Sequence, residues 1–375
     1  MVTLVPISSS KRIVIKIGSA LLIDSESGTL RADWLQSVCD DIASLRLKNI
    51  DLVIVSSGAI ALGRQHLKLS GKLSLSQKQA CASVGQSELT RAYERALAKH
   101  DIITAQTLLT LTDTEDRRRW LNARGTMNTL LDLGAIPIVN ENDTVATDEI
   151  RYGDNDRLAA RVAQMIGADM LILLSDIDGL YTADPRKDGA AQHIPIIETL
   201  TSEIMDMGGD ANSAAQVGTG GMATKLLAAK LAVDAGCSMV IFDGQAPHPI
   251  KRLEHGAKNS WFKAQGDPAR ARAQWIKGSL SPNGDIEVDS GAIKAIQGGA
   301  SLLAAGITAV SGEFTKGSAI KIISVTGEEI GRGLVNYSST EIAKIKGRKS
   351  DDIPALLGYK YGTAVIHRDN MVLNS

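Results

Sequence analysis

Three cysteines in 375 residues, Cys39, Cys81 and Cys237, are too few and too scattered for a disulfide framework, and none makes a CxxC pair for zinc. A reducing, cytoplasmic setting is therefore expected. Aromatic residues make up only 3%, which argues against a stacking platform for nucleic acid. Neither sign of charge dominates: 41 Lys and Arg against 42 Asp and Glu leave a net charge of −1. Nothing in that balance draws the chain to nucleic acid or an anionic membrane. No apolar run approaches the ~20 residues of a membrane helix. The N-terminus lacks a basic start followed by a sustained apolar stretch, so no signal peptide is expected. The six histidines include no pair at metal-ligand spacing, and no metal ligand set is expected. The strings GxxxxGK[ST] and GxGxxG are both missing, so any nucleotide site is of another kind.

What is present is an alternation of short β-branched runs with long helical patterns over the first two-thirds of the chain. Strands are predicted at Arg12–Ile17, Asp51–Val55, Ile102–Thr107, Ala135–Val139, Met170–Leu174 and Met239–Phe242. Helices are predicted at Ala32–Lys48, Gln77–Lys99, Arg117–Leu133, Asp156–Ile166 and Met222–Ala235. Strands such as Leu52-Val53-Ile54-Val55 are apolar on both faces, the mark of a parallel sheet covered by helices on each side. An α/β sandwich of doubly wound type follows. After about residue 267 the pattern changes to short strands separated by glycine turns, which predicts a small, mainly β domain. The expected boundaries are 1–267 for the α/β domain, 268–282 for a linker and 283–367 for the β domain.

Several strands end in small turns: Lys16-Ile17-Gly18-Ser19, Ser56-Ser57-Gly58-Ala59 and the loop from Gly218 to Lys225. Glycine lets backbone N–H groups approach phosphate oxygens, and a helix starting just afterwards turns its positive end to them. Taken singly, each turn reads more readily as a tight strand-to-helix connection. Two lysines sharpen the case. Lys16 follows three apolar strand residues, and Lys225 sits at the start of a helix, where a cation opposes the dipole. Neither placement helps folding, although either side chain alone is readable as a snorkelling surface lysine. A third, polar cluster joins Asn140-Glu141-Asn142-Asp143 to Gly153-Asp154-Asn155-Asp156-Arg157. One of these residues is enough to cap a helix; the surplus acids ask for an amino group, a metal or a lysine pair. The stretch from Thr114 to Trp120 looks like a charged helix start and is read as a solvated face or a subunit contact.

With Val14-Ile15-Lys16-Ile17-Gly18-Ser19, Val55-Ser56-Ser57-Gly58-Ala59-Ile60-Ala61, Asn140-Glu141-Asn142-Asp143 and Gly179 to Arg186, the chain resembles bacterial glutamate 5-kinases. These belong to the amino acid kinase superfamily and carry a C-terminal PUA domain; the match runs nearly end to end. The resemblance implies a three-layer sandwich with a mostly parallel central sheet plus a small PUA domain. It implies ATP with Mg²⁺ as phosphoryl donor, L-glutamate as acceptor, and the first step towards proline. It assigns Lys16, Lys225 and Asp156 to catalysis, with Asp156 organising the two lysines. Gly18, Ser175, Asp176, Thr219, Gly220, Gly221, Met222, Ala223 and Thr224 join the lysines at the nucleotide, and Ser57, Asp143 and Asn155 bind glutamate. Asp143 is expected to pair with the substrate ammonium and Asn155 to serve its α-carboxylate. Proline as feedback inhibitor, a glutamyl-phosphate reductase downstream and a homo-oligomer, dimer or tetramer, complete the expectation. The alternatives are a kinase of aspartate or N-acetylglutamate, and an RNA-binding protein acting through the tail. Against the last, Lys344, Lys346, Arg348 and Lys349 are interspersed with Glu341, Asp351 and Asp352, a poor phosphate track.

Overall fold

A computed structural model describes residues 7–145, 155–209, 221–264, 266, 282–360 and 362–374. The chain divides into two units, Met1–Glu115 with Asn122–Pro268, and Asp116–Leu121 with Ala269–Ser375. The linker expected over 268–282 lies, Pro282 apart, outside the described residues.

In the first unit the aliphatic runs form strands β1 (Arg12–Ile17), β2 (Asp51–Ser56), β3 (Thr104–Leu109), β4 (Ile136–Glu141), β5 (Met170–Ser175), β6 (Leu180–Tyr181), β7 (His193–Ile194), β8 (Ile196–Ile197), β9 (Ser238–Asp243) and β10 (Asn259–Phe262). One sheet takes the order β3-β4-β2-β1-β5-β9-β10-β8, while β6 and β7 pair separately. From β3 to β9 every neighbour is parallel, and β10 runs antiparallel to β9. β5 is buried along its whole length, as a strand covered on both faces must be. Helices Ala32–Arg46 and Leu75–Ala98 pack together in one layer, and Asn155–Ile166 and Met222–Asp234 pair in another. The result is a three-layer α/β sandwich.

The two-residue alternation of a strand decides what each layer meets. Along β1, Ile13, Ile15 and Ile17 join the core that includes Trp34, Leu35 and Tyr93. Val14 and Lys16 therefore point to the opposite face. β3 begins two residues later than predicted. Asp101 has a positive φ of 55° and the Ile102 N–H closes the preceding helix onto the Leu97 carbonyl, so the apolar pair Ile102-Ile103 ends a helix rather than opening a strand. Ile103 is 70% exposed in consequence.

The second unit has strands β11 (Gly284–Val288), β12 (Leu302–Leu303), β13 (Ile307–Gly312), β14 (Ala319–Ser324), β15 (Glu329–Leu334), β16 (Ala364–Ile366) and β17 (Met371–Leu373). Five make a sheet in the order β13-β11-β14-β15-β17 around a core of its own that includes Ile286, Ile322, Tyr337 and Val365. Helix Ser339–Ile345 opens with a capping box between Ser338 and Glu341.

Candidate active site

β1 lies inside the sheet, with the chain running outward to β2 on one side and returning to β5 on the other. Ligands bind in open parallel sheets at such a reversal, outside the carboxyl ends of the strands. Here the structure gathers three charges. Asp156, second residue of helix Asn155–Ile166, is fully buried. Its Oδ1 lies 2.6 Å from Lys16 Nζ and its Oδ2 3.2 Å from Lys225 Nζ. The lysines are only 6% and 5% exposed, so neither charge is hydrated as a surface ammonium would be. Burial pulls the Lys16 ammonium below its ordinary pKa, opposed by Asp156 and reinforced by repulsion from Lys225. For Asp156 burial acts upward, but the two lysines outweigh it and hold the carboxyl below its usual range. Two cations thus converge on one anion at a strand end.

Helix starts surround this group. Gly18, Gly58 and Gly221 are the N-caps of helices Ser19–Leu22, Ala59–His66 and Met222–Asp234, and none has a side-chain cap. First-turn N–H groups of such helices are donors suited to anions. Gly58 has φ 107°, where an L side chain is strained. A Cβ at Gly18 would stand in ordinary contact with Lys16 Nζ at 3.6 Å, which places this helix start beside the ammonium. Ser175 Oγ donates to Asp176 Oδ1 at 3.1 Å; Ser175 is buried and Asp176 exposed. Thr224 Oγ1 is committed to the Gly221 carbonyl at 2.8 Å, and Ala223 is buried behind it. Met222 opens the helix. Thr219 and Gly220 lie outside the described residues.

Ser57 and Asn155 also meet. Asn155 Nδ2 donates to Ser57 Oγ at 2.8 Å, the Ser56 carbonyl at 2.9 Å and Asn140 Oδ1 at 2.9 Å. Asp143 lies in the wall of a cavity of about 260 Å³ with Ser83, Gln86, Gln106 and Glu141, and burial pushes its carboxyl up to about 6. Asn140 Nδ2 donates to Gln86 Oε1 at 2.7 Å, which ties the Ser57–Asn155 pair to the cavity wall. The two N–H groups of Asn155 are shared among these three acceptors, which leaves its carbonyl oxygen as a group that suits an ammonium, where the expectation gave Asn155 the α-carboxylate.

Residues 11–243 match the amino acid kinase family, and residues 284–357 match the PUA domain. The chain is 55% identical over 369 residues to a glutamate 5-kinase of Agrobacterium fabrum, covering 98% of this chain and 94% of that one. The chain belongs to the glutamate 5-kinase family. Relatives of the same name in Gluconobacter oxydans and Cereibacter sphaeroides are each 54% identical, over 98% of this chain and 97% and 98% of theirs. The solved UMP kinases of Ureaplasma parvum and Bacillus anthracis align with 68% of the chain at TM-scores of 0.46 and 0.48, with 17% and 16% identity, and cover 98% and 97% of those chains.

In this glutamate 5-kinase relative, Gln86 and the linking role of Asn140 escaped the reading from residues alone. A signal existed. Ala82, Gln86, Leu89 and Tyr93 follow helical spacing on a buried face of Leu75–Ala98, and an amide in such a stripe requires a polar partner.

Proposed function

We propose that this chain moves the terminal phosphoryl group of ATP onto the side-chain carboxylate of free L-glutamate. The observation that carries the reading is the buried group of Lys16, Asp156 and Lys225 at the carboxyl ends of a parallel sheet. The attacking carboxylate, with a reference pKa of about 4.3, is already ionised at neutral pH and needs no general base. The barrier lies in bringing one anion against another and spreading charge in a loose transition state. A carboxylate oxygen bonds to the γ-phosphorus as the bond to the bridging oxygen breaks, and ADP leaves with that electron pair. The Lys16 and Lys225 ammoniums, set by Asp156, neutralise the charge that develops, with N–H groups after Gly18 and Gly221 as further donors. Both oxygens of Asp156 are engaged by lysines, so this carboxylate would not hold Mg²⁺, which would arrive with ATP and supply further positive charge to its phosphates.

At the other end, Asp143 and the Asn155 carbonyl oxygen receive the ammonium and Ser57 borders the pair. Proline, a cyclic analogue with the same ammonium and carboxylate, competes there. The product is a reactive acyl phosphate, consumed by a glutamyl-phosphate reductase on the way to proline. The same reading takes the protein as a cytoplasmic homo-oligomer, a dimer or tetramer, with a kinase domain over 1–267 and a PUA domain over 283–367. Hydroxylamine trapping of acyl phosphate from Mg-ATP with glutamate, aspartate and N-acetylglutamate tests the choice of substrate. Hydroxamate from glutamate alone is expected; turnover of N-acetylglutamate in its place would overturn the reading, because that acid has no ammonium for Asp143.

A further inference from the structure

We propose that Gln86 is a positioning residue for the amino-acid end of the site: through Asn140 it holds the Asn155 amide in place beside the substrate. The inference rests on the reading of Asn155 as a glutamate-binding residue. A carboxamide is nearly symmetric in shape, so turning it over exchanges a donor for an acceptor at little steric cost. In this site fixed partners decide the matter. The Ser56 carbonyl, 2.9 Å from Asn155 Nδ2, only accepts, which orients the Asn155 amide. Asn140 Oδ1 takes the Glu141 backbone N–H at 2.8 Å, so that atom is an acceptor and receives Asn155 as well. Asn140 Nδ2 then has to donate, and it does so to Gln86 Oε1 at 2.7 Å. Gln86 in turn gives Nε2 to Thr90 Oγ1 at 3.3 Å, and that hydroxyl donates to the Gln86 carbonyl at 2.9 Å.

The chain of amides is thus anchored on backbone atoms at both ends, and each member has one orientation. Asn140 is 2% exposed and Gln86 8%, so water does not readily replace a lost partner. Without the Gln86 acceptor, Asn140 Nδ2 is a buried donor with nothing to meet. An unsatisfied buried group costs more than an ordinary hydrogen bond is worth, which favours a shift of the Asn140 side chain towards another acceptor. Its oxygen then moves off the line to Asn155 Nδ2, and the Asn155 amide is held less firmly on this side. The consequence falls on binding of the amino acid, not on phosphoryl transfer.

Steady-state kinetics of Gln86→Leu, Asn155→Ala and the double variant, on the full chain with Mg-ATP and glutamate, separate this role from its rivals. Gln86→Leu should raise the glutamate KM about tenfold, with kcat and the ATP KM within about twofold. In the Asn155→Ala background the same change should add less than about twofold, because the two residues act as one unit. Equal factors in both backgrounds would mean that Gln86 touches the substrate itself or only packs, and would overturn the proposal. An unchanged KM in Gln86→Leu would do the same. If Asn155→Ala itself leaves the glutamate KM untouched, the site assignment fails first and this inference falls with it, a result distinct from additivity. Should leucine at position 86 prevent folding, Thr90→Val carries the test: a rise in glutamate KM that disappears in the Asn155→Ala background supports the role, and additivity overturns it.

Discussion

Burial works against the charge on Lys16, and yet the side chain ends a run of apolar strand residues with its ammonium on Asp156. That conflict between folding and placement was only half legible from the residues, because a lysine after Ile13, Val14 and Ile15 does not help folding, yet alone it is readable as a snorkelling side chain. It also separates stability from activity. Lys16→Met removes a desolvated cation and leaves Asp156 paired with Lys225, so we expect a melting temperature equal to or above that of the wild type. Asp156→Asn leaves two ammoniums without their carboxylate and should lower stability by roughly 3–5 kcal/mol in urea unfolding. Equal melting of both variants would contradict the charge assignment. Asp143 supplies a pH signature. Its carboxyl, raised to about 6 by burial, is protonated below that value and cannot pair with an ammonium. The glutamate KM should therefore fall as pH rises through about 6 and level off above it, and Asp143→Asn should abolish that dependence. A flat profile between about pH 5 and pH 8 in the wild type would exclude the pairing. Gln86 was not legible in this way, since its meaning comes from Asn140, distant by 54 residues in sequence and met only through the fold.

Among the elements, the parallel strands were readable because their apolar runs have a single consistent use. β3 was not, because Ile102 and Ile103 satisfy a strand pattern while the Ile102 N–H closes a helix end. The contact between helices Ala59–His66 and Leu75–Ala98 was equally hidden. A Cβ on Gly85 would lie 1.9 Å from the Ala59 carbonyl oxygen, and one on Gly63 would lie 1.8 Å from that of Cys81. These helices touch backbone to backbone, and the approach sets the height of Gln86, the next residue. Gly85→Ala should destabilise by at least about 1–3 kcal/mol through overpacking and raise the glutamate KM together with it. An unchanged urea midpoint would show that the helices can separate without penalty.

Across the whole molecule, alternation of strands and helices followed by glycine-punctuated β segments was enough for an α/β sandwich and a second, mainly β unit. It was not enough for the chemistry: the glycine turns were open to a bland reading until Lys16, Asp156 and Lys225 were brought to one point. Mg-ATP at about 100 times its dissociation constant should stabilise the protein by about 2.7 kcal/mol. Native-state hydrogen exchange should locate that protection in the first unit, around β1 and helix Met222–Asp234; protection confined to residues 284–374 would place the nucleotide elsewhere.

Phosphoryl transfer itself is best measured on the two lysines, as acyl phosphate trapped by hydroxylamine at saturating Mg-ATP and glutamate. Lys16→Met and Lys225→Met should each fall by at least about a hundredfold while remaining folded by circular dichroism. Turnover within about threefold of wild type in either variant would contradict a site in which those two ammoniums carry the charge of the transferred group.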